Sequence, residues 1–292
     1  VGHSRSNIMA WYWPICGALV LMGAALLLIF AWKRANGKQN FLLLLVELLD
    51  RYRFLIRQLV SRDFNTKYRQ SVLGVLWSFL NPLLTMSIQY VVFSTIFKSD
   101  IPNFPVYLLT GIVLFNFFSE ACSMGITSIL GNASLITKVY VPKYIYPVTR
   151  VLSSGINMLF SLVPLLMMIF LTKTALTPAI LLLPFALACL ICFCTGMVLV
   201  LSAAMVFFRD TQFLWGVLSM LWNVLSMIWM YATPIFYPES IIPAKFLTIY
   251  KLNPLYHFIR FARTVIMDGV SPEPKAYLIC FVFAVGSLII GG

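Results

Sequence analysis

The sequence predicts an all-α integral membrane protein, and two properties of its composition lead to that fold class. Hydrophobic residues make up 61% of the 292 residues, against roughly 45–50% in soluble domains. Charged residues make up only 10%, against roughly 25% in soluble proteins. A soluble core has no room for this much apolar surface, so much of it must face lipid.

Seven apolar stretches are long enough, or nearly so, to cross a bilayer, whose hydrocarbon core of about 30 Å needs about 20 helical residues. They are 15–31, 71–97, 106–130, 148–172, 178–207, 213–236 and 276–292. The first is short but lacks a clear small-x-small cleavage site, so we expect an uncleaved span rather than a signal peptide. The last stops at Gly292, so we expect the C-terminal end of the domain to be incomplete.

Lys and Arg residues predict the orientation, because they gather on the cytoplasmic side of a membrane protein. They concentrate in 33–70, and alternation then places 131–147 and 208–212 inside as well. The N-terminus and the remaining connections fall outside. This orientation also accounts for the net charge of +12. The sequence has no basic stripe interleaved with aromatic residues, so we do not expect a nucleic-acid partner.

Residues 44–60 predict an amphipathic helix at the cytoplasmic membrane surface rather than a span. Apolar residues recur there at helical spacing, with charged residues on the other face. A helix packed against other protein is the alternative, and both interpretations can hold together. Asp63 is expected to pair with Lys67 one turn later on the same polar side. The interface residues are Arg57, Arg62, Asp63, Lys67 and Arg69.

No turn signal separates this segment from the span at 71–97, so we expect the helix to pass almost directly into the membrane. Trp77 suits the interface, and Pro82 is expected to bend the span. The chain thus divides into an extra hydrophobic segment at 1–40, an amphipathic segment at 41–70 and a transmembrane domain at 71–292.

The cytoplasmic connection from Gly131 to Lys143 predicts a short helix, capped by Asn132 or Ser134 and ended by Pro142. Its apolar side chains suggest a docking site for another protein. They are Leu135, Val139 and Tyr140. The alternative is a tight turn at the membrane interface.

The external segment 234–263 contains four prolines, which forbid a continuous helix, yet it is too apolar for a free loop. We expect two short helices that enter the outer leaflet and return, because irregular backbone at that depth must line a cavity or be covered. From Leu255 an apolar face is predicted opposite His257, Arg260 and Arg263.

The sequence contains no catalytic constellation. His3 and His257 are its only histidines, and no glycine-rich phosphate loop is present. The six cysteines lie in apolar runs and are expected to pack helices, not to hold a metal. Asp210 follows Arg209 and is expected to form a local ion pair.

Glu120 lies within a predicted span, where a charge costs about 2.5–3.5 kcal/mol on insertion scales. It must face the bundle or a pore, be protonated, or pair with a polar group. A role in a transport path and a structural hydrogen bond stay open. Aromatic residues along the spans likewise allow two interpretations, packing or a path for sugars.

Three stretches together resemble the permease subunit of a type-2 ABC exporter, in particular the subfamily that exports O-antigen, capsule or teichoic-acid polysaccharides. They are RDFNTKYRQSVLGVLWSFLNPL, NASLITKVYVPKYIYP and TPIFYP with LNPLYHFIRFAR, within 42–292. The resemblance implies six core spans, an interface helix and external gate helices. It also implies a bacterial cytoplasmic membrane location and a second copy of the chain. Two ATPase subunits would hold the ATP and Mg²⁺, and the cargo would be a lipid-linked glycan.

By this resemblance, Asn132 to Lys143 would contact the ATPase, and the turn from Phe208 to Thr211 would be a second contact. The implied coupling residues are Asn132, Leu135, Lys138, Val139, Tyr140, Pro142, Lys143, Arg209 and Asp210. The predicted path or gate residues are Trp77, Pro82, Phe117, Phe118, Glu120, Trp229, Tyr231, Pro234, Tyr237, Asn253, Pro254, Arg260 and Arg263.

Residues 1–40 depart from the family pattern by adding a span, which an upstream start site would explain. Two alternatives remain: an exporter of drugs or other small molecules with the same architecture, and a membrane enzyme acting on lipid-linked sugars. The enzyme would need convergent Asp, Glu or His residues at one membrane face, and the sequence predicts none.

Overall fold

The computed structural model describes residues 51–69, 74–95, 102–138, 141–174, 177–207 and 251–291. The chain divides into two compact units, 1–58 and 59–292. In the described part of the first unit, the Arg51 guanidinium lies 5.9 Å from the centre of the Tyr52 ring.

Helices and short connections make up all of the described residues. The helices are α1 (Arg53–Tyr68), α2 (Leu76–Thr95), α3 (Phe104–Ile126), α4 (Ala133–Ile136), α5 (Ile145–Leu171), α6 (Leu183–Phe207), α7 (Pro254–Arg263) and α8 (Pro274–Gly291). A 3₁₀ turn, Leu130–Asn132, precedes α4, and another, Pro178–Leu182, precedes α6. A π-helical turn, Thr264–Asp268, follows α7.

Within the described residues, five helices are long and apolar enough to cross a membrane, namely α2, α3, α5, α6 with its 3₁₀ turn, and α8. Each lies within a few residues of a span predicted from the sequence, which confirms the all-helical membrane class. The predicted spans at 15–31 and 213–236 lie outside the described residues.

The prediction of a nearly unbroken passage from α1 into α2 is wrong. Helix α1 ends at Tyr68, Arg69 lies in a turn, and α2 begins only at Leu76. Gly74 in between has a φ of +49°, a left-handed conformation that a helix interior does not contain. Glycine adopts it without a steric penalty, so the two helices are separate elements.

Helix α3 is the most buried of the five candidate spans, and α5 and α6 both pack against it. Helices α6 and α8 approach closely at Gly196, where a Cβ atom would overlap the backbone of Ser287 and Leu288. Small residues at such a crossing let two helix backbones come together in lipid, where packing drives association.

Contacts at the two ends of the bundle agree with the predicted alternation of its connections. At one end, the Thr177 hydroxyl donates to the Gly269 carbonyl at 2.9 Å. At the other, Arg62 of α1 donates to Asn132, in the connection between α3 and α5, at 3.2 Å. Connections predicted to share a side of the membrane therefore touch each other.

Candidate functional site

Glu120 of α3 is paired inside the helix bundle, as its position in a span requires. Lys67 Nζ of α1 lies 2.6 Å from Glu120 Oε1, and Asn157 Nδ2 of α5 donates to the same oxygen at 2.8 Å. The carboxylate is still partly accessible, with 27% of its side chain exposed. The Lys67–Glu120 ion pair and the hydrogen bond from Asn157 thus join the end of α1 to the spans α3 and α5.

Tyr68 extends this polar contact to a fourth helix. Its hydroxyl donates to Asn157 Oδ1 at 2.9 Å and also shares a hydrogen bond with the Ser78 hydroxyl of α2. Both polar ends of the Asn157 side chain are therefore satisfied, one by Tyr68 and the other by Glu120. The orientation of this amide is fixed by its neighbours.

Asp63 forms a second ionic contact one turn earlier on α1. Arg150 Nη1 of α5 lies 2.8 Å from Asp63 Oδ1, Arg62 lies 3.3 Å from it, and Ser153 Oγ donates to Oδ2 at 3.2 Å. The predicted pairing of Asp63 with Lys67 is wrong. Asp63 faces the bundle with only 5% of its side chain exposed, where Arg150 compensates the charge.

Asn132 connects the predicted ATPase-docking segment to this network. Its Oδ1 accepts from Arg62 Nη2 at 3.2 Å, and its Nδ2 donates to the Ser128 carbonyl at 2.7 Å. The predicted side-chain cap is absent, because both polar atoms of Asn132 bind elsewhere and no side chain caps α4. Helix α4 also ends at Ile136, earlier than the predicted stop at Pro142.

The other predicted interface and coupling residues lie at the surface of the described chain. Leu135 and Pro142 are half-buried, whereas the basic residues are exposed. The exposed basic residues are Arg57, Arg69, Lys138 and Lys143. Val139, Tyr140, Arg209 and Asp210 fall outside the described residues.

A polar cleft of about 630 Å³ opens between α2, α3 and α5, next to the Lys67–Glu120 pair. Its polar residues recur at intervals of three or four along each helix, so each helix turns one polar face towards it. They are Ser78, Asn81 and Thr85 of α2; Asn116, Ser119, Glu120 and Ser123 of α3; and Asn157 and Ser161 of α5.

A smaller cavity of about 350 Å³ lies between α1, α3 and α5 and includes Asp63 and Arg150 in its lining. Both cavities are lined by Lys67, Glu120, Ser123 and Asn157. The Lys67–Glu120 ion pair therefore stands between the smaller cavity and the polar cleft.

The structure divides four of the path residues predicted on α2 and α3 into two groups. Trp77 and Pro82 line the polar cleft, and 46% of Trp77 is exposed. Phe117 and Phe118 are buried in the core, where Phe118 stacks on Phe193 of α6. Trp229, Tyr231, Pro234 and Tyr237 lie outside the described residues.

Helix α7 has the predicted start, and its predicted apolar face is buried. The Asn253 side chain accepts from the Leu255 backbone amide at 3.0 Å, and Pro254 is the first helical residue. Tyr256 and Phe261 are buried as well, together with all the residues of the predicted face, which are Leu255, Phe258, Ile259, Ala262, Val265 and Ile266. The second of the two predicted re-entrant helices falls largely outside the described residues.

Arg263 does not lie on the polar face to which the sequence assigned it. It is buried against α3, with its guanidinium 3.4 Å from the centre of the Tyr107 ring and Nη2 donating to the Tyr107 carbonyl at 3.1 Å. Arg260 lies over the ring of Tyr256, one turn away on α7. Cation–π contact offsets the cost of burying the arginine.

Sequence reasoning missed most of the cleft, because single Asn, Ser and Thr residues in apolar runs look like ordinary span residues. Asn81, Asn116 and Asn157 are the clearest omissions. The available signal was the helical spacing of 116, 119, 120 and 123, and of 81 and 85.

Among the described residues, no group of three or more His, Cys, Asp or Glu side chains could hold a metal ion. The cysteines in this part of the chain are free thiols, and Cys192 is the only one of them that is not fully buried.

Comparison with known proteins agrees with the helical membrane architecture of the chain. Residues 55–267 match the family described as ABC-2 type transporter. The O-antigen export system permease protein RfbA of Klebsiella pneumoniae is 30% identical over 214 residues, which cover 72% of this chain and 79% of the relative. The protein of the same description from Myxococcus xanthus is 30% identical over 79% of this chain and 87% of its own.

A more distant relative is the polysialic acid transport protein KpsM of Escherichia coli, 25% identical over 81% of this chain and 90% of its own. The family match covers well over half of the chain and includes α1, the polar cleft and α7. The chain belongs to the ABC-2 type transporter family.

Proposed function

We propose that the chain is the membrane-spanning permease of an ATP-driven exporter that moves a lipid-linked polysaccharide across the bacterial cytoplasmic membrane. The names of its relatives support this proposal, since they are O-antigen and polysialic acid transport proteins. ATP and Mg²⁺ would be held by a separate ATPase subunit, and two permeases would pair with two ATPases.

The observation that carries the proposal is a set of polar contacts between the predicted docking segment and the cleft. Asn132 binds Arg62, and the adjacent Asp63 binds Arg150 of α5. One turn further along α1, Lys67 binds Glu120 at the edge of the polar cleft. A displacement of the docking segment would therefore reach the cleft through side chains of a single helix.

This arrangement gives a physical route for coupling. Closure of the ATPases would push on the segment from Asn132 to Lys143 and thereby move α1 relative to α3 and α5. The Lys67–Glu120 pair suits this role, because it is partly solvated and can exchange partners at modest cost. The cleft would then open to the glycan.

The test is export by a strain that lacks this chain, together with ATP hydrolysis by the purified permease–ATPase complex. We expect Asp63→Asn to abolish most export while the complex still assembles and hydrolyses ATP, because the charge that joins α1 to Arg150 is lost. Arg69→Gln is the matched control, since Arg69 is exposed at the end of the same helix. Failure of the unaltered chain to restore export, or to co-purify with an ATPase, would overturn the proposal.

A further inference from the structure

Two carboxamides of the polar cleft lie exposed within membrane-spanning helices. Asn81 of α2 and Asn116 of α3 are both exposed, although α3 is otherwise largely buried. Within the part of the chain that the structure describes, neither side chain has a hydrogen-bond partner. Both line the same cleft.

Lipid cannot be the neighbour of these amides. A carboxamide without a hydrogen-bond partner costs several kcal/mol in hydrocarbon, on the order of 4–8 kcal/mol on transfer scales that exclude hydrogen bonding. Exposing two such amides to hydrocarbon, on two adjacent helices, would strongly disfavour insertion of the chain into the membrane. The face that carries Asn81 and Asn116 must therefore meet water, a polar ligand or a second copy of the chain.

The chemistry of the cleft favours a neutral ligand rich in hydroxyl groups. Among the described residues that line the cleft, Lys67 is the only cationic one, and Glu120 neutralises it, so this lining offers no free charge for a phosphate. Amides and hydroxyls both donate and accept, as sugar hydroxyls do. Its volume of about 630 Å³ lies within the range of about 300–1,000 Å³ typical of ligand sites.

We propose that this cleft is a saccharide-binding subsite in which Asn81 and Asn116 bind hydroxyl groups of the glycan and Trp77 packs against the apolar face of a sugar ring. The exposed indole of Trp77 stands at the same cleft and has the flat apolar surface that such a contact needs. This subsite would be the place where the proposed exporter contacts its cargo, so the inference rests on the proposed export function. It would take the uncharged part of the cargo, not its lipid pyrophosphate.

A second copy of the chain is the competing occupant. The lining favours the glycan, because amides and hydroxyls recur on all three helices around the cleft, whereas the buried core of a protein interface is mostly apolar. The two occupants also differ in their response to substitution. Loss of an amide weakens glycan binding in one case and association of the permeases in the other.

The experiment measures binding of deacylated surface polysaccharide, prepared from the strain that encodes the chain, to the permease–ATPase complex in lipid nanodiscs by titration calorimetry. We expect Asn81→Leu and Asn116→Leu each to raise the Kd about 3- to 10-fold, the worth of one ordinary hydrogen bond. Trp77→Ala should raise the Kd as well, whereas Trp77→Phe should retain most of the affinity. Ser87→Ala on α2 is the control, because its hydroxyl binds its own helix at the Leu83 carbonyl.

Equal affinity in both asparagine variants and in the unaltered complex would overturn the subsite. So would a loss of permease association in Asn81→Leu with the affinity of the remaining complex unchanged, which would assign the face to a second copy. If the unaltered chain restores no export and its complex binds no polysaccharide, the proposed function itself fails. The subsite fails alone when export and binding are intact and the variants bind normally.

Discussion

At the residue scale, Glu120 illustrates how a carboxylate is accommodated in a membrane span. Lys67 supplies the opposite charge and Asn157 a hydrogen bond, and Tyr68 holds Asn157 in the orientation that makes this bond possible. The sequence predicted that Glu120 needs a partner, and the structure identifies it. No spacing rule could have selected Lys67, because the two residues are 53 positions apart.

Exchange of the two charges tests whether the ion pair itself matters. Glu120→Lys and Lys67→Glu should each impair export, since each places two like charges side by side. The double variant should recover much of the lost export and thermal stability, because it restores opposite charges. Lys67 is 45% exposed, so the coupling free energy should be at most about 1 kcal/mol.

Thermal unfolding in detergent and export in cells are the two measurements for this cycle. Lys275→Glu is a matched control, because Lys275 is exposed at the start of α8, outside the network and outside the predicted ATPase contacts. A double variant no better than either single variant would contradict a role for the pair.

At the element scale, the crossing of α6 and α8 depends on positions without a side chain, Gly196 of α6 and Gly291 of α8, which lie against each other. A Cβ at Gly196 would overlap the backbone of α8, which cannot yield as a flexible side chain can. We expect Gly196→Ala to destabilise the protein by about 1–3 kcal/mol through overpacking. Thermal unfolding of the purified permease measures this loss.

Gly286→Ala on α8 is the matched control for that substitution. A Cβ at Gly286 meets no atom within 4 Å, and alanine favours a helix by up to about 1 kcal/mol over glycine. This variant should be neutral or slightly stabilising. Equal destabilisation by both substitutions would show that the close crossing is not the cause.

The start of α7 depends on one side-chain cap. Removing it in Asn253→Ala should destabilise α7 by about 1 kcal/mol, because the Leu255 amide loses its acceptor. Asn253→Asp should retain most of the stability, since aspartate also caps. Hydrogen exchange at the first turn of α7 measures the effect, and unchanged protection in Asn253→Ala would contradict it.

At the scale of the whole molecule, the sequence predicted the all-helical class and the five spans that the structure describes, because these follow from length and hydropathy. The break at Gly74 was missed, since a lone glycine in an apolar run signals a turn only weakly. Arg263 was placed on the wrong face because helical spacing says nothing of Tyr107, whose ring covers it. Such contacts depend on which helices become neighbours.

The break between α1 and α2 changes how motion would be transmitted. Side-chain contacts of α1, not a continuous helix, connect the proposed docking segment with the spans. A Gly-Ser insertion after Gln70 should therefore preserve more than half of export, whereas Asp63→Asn should remove most of it. Parallel export assays measure both, and complete loss on insertion would restore the rigid-helix mechanism.

The two ends of the bundle are fastened by different chemistry, and this has a consequence for ionic strength. Arg62, Asp63 and Lys67 hold one end through ion pairs, of which the Lys67 pair is partly open to solvent. The other end is held by hydrogen bonds to backbone carbonyls and by an arginine stacked on a ring. Salt screens exposed charges over a Debye length of about 8 Å at physiological strength and about 3 Å at 1 M. Concentrated salt should therefore loosen the end where the ATPase is proposed to dock and leave the packing of the opposite end largely unchanged.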